Sequence, residues 1–184
     1  MRIIGGSAKR RILKSVSGLE TRPVTDQIKE SIFNILQFEI TNTRVLDLFA
    51  GVGNFGLEAL SRGAKSAIFV DLRKECIEAL HENISMLKFG NQSEIIQGDV
   101  INSIHRLGKE SREFDLIFVD PPYSKNFEIP VLQTLSQNKL LTTQGILVMR
   151  YHKKTSLDEK EISFTCIRKE RYGDTMVAFF KTTF

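Results

Sequence analysis

The stretch Val45-Leu46-Asp47-Leu48-Phe49-Ala50-Gly51-Val52-Gly53-Asn54-Phe55-Gly56 decides the fold of this chain. Its first half is a short apolar run that predicts a buried strand. Its second half matches G-x-G-x-x-G, which predicts a tight turn leading into a helix. Asp71 follows 20 residues after Gly51, at the end of the next apolar run, so a carboxylate is expected beside the turn. This combination predicts a site for a nucleoside cofactor and leaves NAD and S-adenosylmethionine both open.

Outward from this stretch, apolar runs alternate with helical patterns. The predicted strands are 45–49, 67–70, 94–97, 114–119 and 146–149. The predicted helices are 26–38, 56–62, 74–87, 101–107 and 129–137, with Thr25 expected to cap the first. Strands that are apolar on both faces and alternate with helices are typical of a parallel sheet covered on both sides.

The end of the chain breaks this alternation. Two β-rich runs, 163–172 and 175–180, flank Gly173-Asp174, a pair typical of a two-residue hairpin turn. The prediction is an α/β, Rossmann-like fold with a seven-stranded, mostly parallel sheet, a C-terminal antiparallel hairpin and helices on both faces. A dinucleotide-binding fold ends on a parallel strand instead, so the hairpin argues against one.

The positive charge is concentrated at the N-terminus. Residues 1–30 contain seven Lys and Arg and three Asp and Glu, so the whole net charge of +4 lies there. Such a concentration suits a polyanion, because each neutralised phosphate releases counterions. A solvated, soluble extension explains the charge equally well.

The composition excludes several classes of protein. Hydrophobic residues are 41% and charged residues 26% of the 184 positions, which is ordinary for one soluble globular domain. No apolar run is long enough for a membrane-spanning helix, and no signal peptide is recognisable. Cys76 and Cys166 are far apart, and His81, His105 and His152 are scattered. We therefore expect a cytoplasmic protein with no metal and no membrane partner.

Two further aspartates are candidates for the cofactor site. Asp47 lies inside an apolar strand, where a carboxylate needs partners such as backbone amides of the glycine turn or an amine of the cofactor. Asp99 follows the third predicted strand, at the edge of the sheet where ligands bind, and can accept the amine of an adenine. A structural hydrogen-bonding role for Asp47 and a plain turn at Asp99 remain open.

The sequence Asp120-Pro121-Pro122-Tyr123 follows the fourth predicted strand. Its two prolines prevent helix formation and remove two backbone donors, so the Asp120 carboxylate and nearby carbonyls remain as acceptors. Tyr123 adds an aromatic face. Acceptors beside an aromatic plane form a site for a planar ring that carries an NH2 group.

These motifs, in this order, resemble the class I S-adenosylmethionine-dependent methyltransferases of exocyclic amines. Three further segments make the resemblance more specific: Arg2-Ile3-Ile4-Gly5-Gly6, Arg22-Pro23-Val24-Thr25-Asp26 and Tyr172-Gly173-Asp174-Thr175. With Glu30 and Phe33-Asn34, they resemble the bacterial small-subunit ribosomal RNA guanine-N2 methyltransferase family. The resemblance implies methyl transfer from S-adenosylmethionine to the N2 amine of a guanine in 16S rRNA, by a monomer acting on the small subunit or an assembly intermediate.

The resemblance also implies roles for particular residues. The basic arm 1–24 would dock RNA, and residues 25–184 would form the methyltransferase domain. The expected cofactor contacts are Thr25, Asp47, Phe49, Gly51, Gly53, Asp71, Leu72 and Asp99. The expected contacts with the target base are Asp120, Pro121, Pro122 and Tyr123. The expected RNA contacts are Arg2, Lys9, Arg10, Arg11 and Arg22.

Three other functions share part of this sequence pattern. A methyltransferase of adenine N6 or cytosine N4 in DNA or another RNA shares the 120–123 motif, although 184 residues leave little room for a DNA-recognition domain. A nicotinamide oxidoreductase shares only the glycine turn. A non-catalytic RNA-binding protein would explain the basic arm and would leave the cofactor motifs without a role.

Overall fold

The computed structural model describes residues 1–16, 25–122, 126–157 and 162–183. Among these residues, the centre is a seven-stranded sheet in the order β3-β2-β1-β4-β5-β7-β6. The strands are β1 (Arg44–Leu48), β2 (Ser66–Asp71), β3 (Ser93–Gln97), β4 (Phe114–Val119), β5 (Leu141–His152), β6 (Phe164–Tyr172) and β7 (Thr175–Thr182). β1 to β5 are parallel, and β7 pairs antiparallel with both β5 and β6. The predicted sheet with its terminal hairpin is confirmed.

One helix precedes β1, and the others connect the parallel strands. Over the described part of the chain they are α1 (Asp26–Ile35), α2 (Gly56–Ser61), α3 (Lys74–Leu87), α4 (Val100–Lys109) and α5 (Glu128–Gln137), with a 3-10 turn at Gly90–Gln92. The predicted cap of α1 is confirmed, because the Thr25 hydroxyl accepts a hydrogen bond from the Ile28 amide at 3.3 Å. The prediction that α1 reaches Phe38 was wrong. The helix ends at Ile35; the next residue, Leu36, is still buried, whereas Phe38 is exposed.

The strand β5 is longer than the predicted run 146–149. At its far end it pairs with β7, up to the pair His152–Thr175. Strand pairing therefore extends β5 across polar residues that the hydrophobic pattern did not include. One consequence is that Arg150 lies inside the strand and is buried.

Two hydrophobic layers cover the two faces of the sheet. Successive side chains of a strand point to opposite faces, so Val45 packs in the layer under α1, α2 and α3, and Leu46 packs in the layer with α4 and α5. Ile3 and Leu13 are buried in the first layer. Residues 1–16 are thus packed against the sheet domain, and the predicted boundary at residue 24 lies outside the described residues.

Within the described ranges, no helix is long and apolar enough to cross a membrane. The same ranges contain no group of three His, Cys, Asp or Glu side chains arranged to hold a metal ion. Cys76 and Cys166 are free thiols, with Cys76 fully buried on α3.

Candidate active site

The topology gathers the predicted acidic residues at one edge of the sheet. The chain places β2 and β3 on one side of β1 and β4 on the other, so the strand order reverses between β1 and β4. Ligands of such sheets bind outside the carboxyl ends of the strands at this point. Asp71 ends β2 and Asp120 follows β4, so both lie at this edge, beside the loop that leaves β1.

The glycine loop, residues 49–56, is a sharp turn from β1 into α2. Gly51 has a φ of 56°, a left-handed conformation that glycine adopts without steric cost, and a side chain there would have open space within 4 Å. Gly56 has a different role, since an added Cβ would lie 2.3 Å from the Phe69 ring on β2. The first glycine therefore leaves room over the loop, and the last lets α2 pack on the sheet.

Asp71 is buried and holds the glycine loop. Its carboxylate accepts hydrogen bonds from the Gly51 amide at 2.8 Å and from the Arg73 amide at 2.9 Å. The Arg73 guanidinium lies 3.4 Å away. The predicted placement of an acid beside the glycine turn is confirmed, and the direct bond to Gly51 shows that Asp71 also shapes the loop.

Asp47 is buried beneath the same loop. One carboxyl oxygen accepts a hydrogen bond from the Gly56 amide at 2.8 Å. The other, Oδ1, is buried and has no hydrogen-bond partner among the described residues. Burial raises the pKa of Asp47 to about 8, and the nearby carboxylates of Asp120 and Asp71 act in the same direction. A buried oxygen without a partner is suited to receive an amine from a ligand.

Replacing Asp47 with asparagine should remove a pH-dependent loss of stability. The folded carboxyl binds its proton more tightly than the unfolded one, so its stabilising effect is full below pH 3.8 and is lost as the pH rises towards 8. A pKa rise from 3.8 to about 8 lowers the free energy of unfolding above pH 8 by on the order of 5 kcal/mol, relative to its value below pH 3.8. Urea unfolding across pH 4 to 8 should show Asp47→Asn gaining stability over wild type as the pH rises. A constant difference between the two would contradict the raised pKa.

Asp120 forms an ion pair that the sequence did not predict. The Arg150 guanidinium donates two hydrogen bonds to its carboxylate, from Nε at 2.6 Å and from Nη2 at 2.8 Å. Burial raises the pKa of Asp120, and the charge of Arg150 opposes this shift. The pair fixes the orientation of the carboxylate at the end of β4. Arg150 was missed because it follows the apolar run 146–149, where a charged residue suggests the end of a strand.

Three other predicted cofactor residues have observable local roles. Asp99 caps α4, since its carboxylate accepts a hydrogen bond from the Asn102 amide at 3.0 Å. Leu72 follows Asp71 at the sheet edge and is 65% exposed, so its apolar surface faces solvent. Phe49 adopts a φ of 61° and packs against Phe127, with ring centroids 5.3 Å apart.

The N-terminal segment, residues 1–16, forms a short antiparallel pairing. Arg2 and Ile12 make a β-bridge, and the Ile3 amide donates to the Arg11 carbonyl at 2.9 Å. The side chains of the predicted RNA contacts in this segment are exposed: Arg2, Lys9, Arg10 and Arg11. Arg2 is also paired with Asp26 at 2.7 Å. The predicted contacts Arg22 and Tyr123 lie outside the described residues.

A buried ion pair beneath this segment was also missed by the sequence analysis. Lys29 and Glu58 are almost completely buried, with their charged atoms 3.3 Å apart. Glu58 accepts hydrogen bonds from the amides of Ile4 and Gly5, both at 2.8 Å. Burial lowers the pKa of Lys29, and Glu58 opposes this shift. In the sequence, Lys29 and Glu58 are each one of two or more charged residues on a predicted helix, which is ordinary for an exposed face.

Comparisons with known proteins match nearly the whole chain. A family model described as Conserved hypothetical protein 95 matches residues 1–181. YlbH of Bacillus subtilis is 38% identical over 181 residues, covering 98% of each chain. Ribosomal RNA small subunit methyltransferase D of Haemophilus influenzae is 31% identical over 174 residues, covering 94% of this chain and 89% of that protein. The structure of yhhF from Escherichia coli has a TM-score of 0.86 at 27% identity, covering 99% of this chain and 97% of that one.

Proposed function

We propose that this chain, which belongs to the Conserved hypothetical protein 95 family, methylates the N2 amine of a guanine in 16S rRNA with S-adenosylmethionine as the methyl donor. The observation that carries the proposal is the placement of Asp71 and Asp120 at one sheet edge, on either side of the glycine loop. We place the protein in the cytoplasm, acting as a monomer on the small subunit or its precursor.

The residues around the glycine loop fit the proposed cofactor. The open space over Gly51 allows a ligand to approach the backbone, and the buried Oδ1 of Asp47 suits the ammonium group of the cofactor's amino-acid part. Asp71 is assigned to the ribose hydroxyls and Asp99 to the adenine amine. Phe49, Gly53, Leu72 and Thr25 are assigned to the remaining contacts. S-adenosylmethionine, when bound, supplies an electrophilic methyl group.

Asp120 is assigned to the target amine. The two hydrogen bonds from Arg150 hold its carboxylate in one orientation, and each carboxylate oxygen retains a further lone pair. An acceptor there orients the N–H bonds of the guanine amine and directs its lone pair towards the methyl group. Formation of the N–C bond would accompany cleavage of the donor's S–CH3 bond, with the bonding electrons left on sulfur. The positively charged amine would then give its extra proton to the Asp120 carboxylate or to water. The carbonyls of Asp120 and Pro121 add acceptors, Pro122 keeps the chain extended, and Tyr123 stacks on the base.

The direct test is methylation of rRNA in vitro. Purified protein is incubated with labelled S-adenosylmethionine and either free 16S rRNA or isolated small subunits, and the modified nucleotide is mapped. The proposal expects a single N2-methylguanine. Label on adenine N6 or cytosine N4 would favour the alternative amino-methyltransferase, and binding of RNA without any transfer would favour a binding protein.

Neutralising the exposed charges of the N-terminal segment should weaken RNA binding and leave cofactor binding nearly unchanged. The variant carries Lys9→Ala, Arg10→Ala and Arg11→Ala, three side chains that are exposed. Losing up to three phosphate contacts should lower the slope of log K against log salt by at most about three. The slopes are measured with small subunits over a salt series. Equal slopes with intact activity would show that RNA binds elsewhere, for example on Arg168, Lys169 and Arg171 of the hairpin.

A further inference from the structure

Asn83 on α3 joins two parts of the chain that are distant in sequence. Its amide nitrogen donates hydrogen bonds to the Val52 carbonyl at 3.0 Å and to the Lys14 carbonyl at 3.1 Å. Its amide oxygen accepts a hydrogen bond from the Lys14 amide at 2.7 Å. Asn83 is 1% exposed, and these three bonds engage both of its N–H groups and its oxygen.

The bond to Val52 supports the centre of the glycine loop. Val52 is buried between Gly51 and Gly53, which both have positive φ values. A buried carbonyl in such a turn needs a donor, because an unmet hydrogen bond there costs free energy. Asn83 supplies that donor from α3. Its hydrogen bond thereby fixes the position of the backbone that the proposed cofactor would approach.

The bonds to Lys14 hold the N-terminal segment through its backbone. The Lys14 side chain points elsewhere and pairs with Glu82 at 2.5 Å, where both groups are exposed. A second connection lies nearby, since the Lys29 ammonium donates to the Arg2 carbonyl and, at 2.9 Å, to the Asn54 side chain. Two buried side chains thus each contact both the N-terminal segment and the glycine loop.

We propose that Asn83 is a positioning residue that holds the glycine loop in its cofactor-binding conformation and secures the N-terminal segment to it. This rests on the proposed function, because it assumes that the loop binds S-adenosylmethionine and that the segment binds RNA. The loop and the segment then depend on one side chain that contacts neither ligand. Losing Asn83 should weaken both binding reactions, whereas removing surface charge weakens only RNA binding.

The test compares Asn83→Ala, Lys14→Pro and Lys14→Ala with wild type. Proline at position 14 removes the backbone N–H that donates to Asn83, whereas alanine keeps it and removes only the exposed ion pair. The affinity for S-adenosylmethionine is measured by calorimetry without RNA, well below the unfolding temperature of each variant. We expect Asn83→Ala to lose about tenfold or more in affinity, because a displaced binding loop misplaces several contacts together. Lys14→Pro should lose affinity in the same direction, and Lys14→Ala should match wild type.

The measurements separate positioning from a purely structural role. If Asn83 only stabilised the fold, the folded variant would unfold at a lower temperature and bind the cofactor with unchanged affinity, which would overturn the proposal. If Asn83→Ala does not fold, the test rests on Lys14→Pro, which removes the hydrogen bond from the segment to Asn83. Unchanged affinity of that variant for S-adenosylmethionine would overturn the proposal that Asn83 couples the segment to the loop. Wild-type protein that fails to bind S-adenosylmethionine would instead refute the proposed function. Binding of 16S rRNA should also weaken in Asn83→Ala, and unchanged RNA affinity would contradict the role of Asn83 in holding the segment.

Discussion

Replacing Asp120 with alanine is expected to reduce methyl transfer by a factor of about 10² to 10³, with little change in the affinity for S-adenosylmethionine. The carboxylate is held by Arg150 at the end of β4 and is assigned to the substrate amine. Its contribution should therefore appear in the transition state rather than in cofactor binding. Single-turnover rates on 16S rRNA, together with calorimetric titration of the cofactor, measure the two effects separately.

Two further variants make this prediction specific. Breaking a largely buried ion pair can itself destabilise the protein by about 3–5 kcal/mol, so unfolding is recorded for each variant. Asp115→Ala is the matched control, because Asp115 also accepts two side-chain hydrogen bonds from an arginine, Arg44, at the opposite end of β4. It should keep its activity. Asp120→Asn retains one acceptor oxygen and should fall between wild type and alanine. Full activity of Asp120→Ala would refute its assignment to the amine.

Replacing Asp71 with alanine is expected to weaken S-adenosylmethionine binding by about a hundredfold while the protein remains folded. The variant loses two hydrogen bonds assigned to the ribose, which together contribute on the order of 3 kcal/mol. It also removes the acceptor for the Gly51 amide, so the glycine loop loses a bond that fixes its conformation. Calorimetry measures the affinity, and thermal unfolding checks that the fold is intact.

The control for Asp71 is its neighbour Arg73. The Arg73 guanidinium is partly exposed and lies 3.4 Å from Asp71, while the backbone amides of Gly51 and Arg73 make the shorter contacts. Arg73→Ala keeps both amides and should change cofactor affinity little, because partly exposed ion pairs contribute little. Unchanged affinity in Asp71→Ala would refute the ribose assignment.

The regular elements near the glycine loop were largely predictable from the sequence. α3 and β4 have the predicted bounds, because a clear helical period and a continuous apolar run each specify one structure. β5 was predicted too short, since its outer residues are strand through pairing with β4 at the Leu141 end and with β7 at the His152 end. α1 was predicted too long, because the apolar Phe38 follows the last helical turn without packing against the sheet.

The sequence by itself determined the α/β alternation, the glycine turn and the carboxylates that follow the strands. These are local features, set by hydrophobic period and by residues that fix the backbone, so they can be recognised in one stretch of chain. The tertiary structure alone decided which polar groups meet. Arg150 reaches Asp120 across two paired strands, and Asn83 reaches Lys14 from 69 positions away. The physical reason is that a buried polar side chain is stable only with its partners, and partners brought together by sheet pairing and helix packing leave no periodic signal in the sequence.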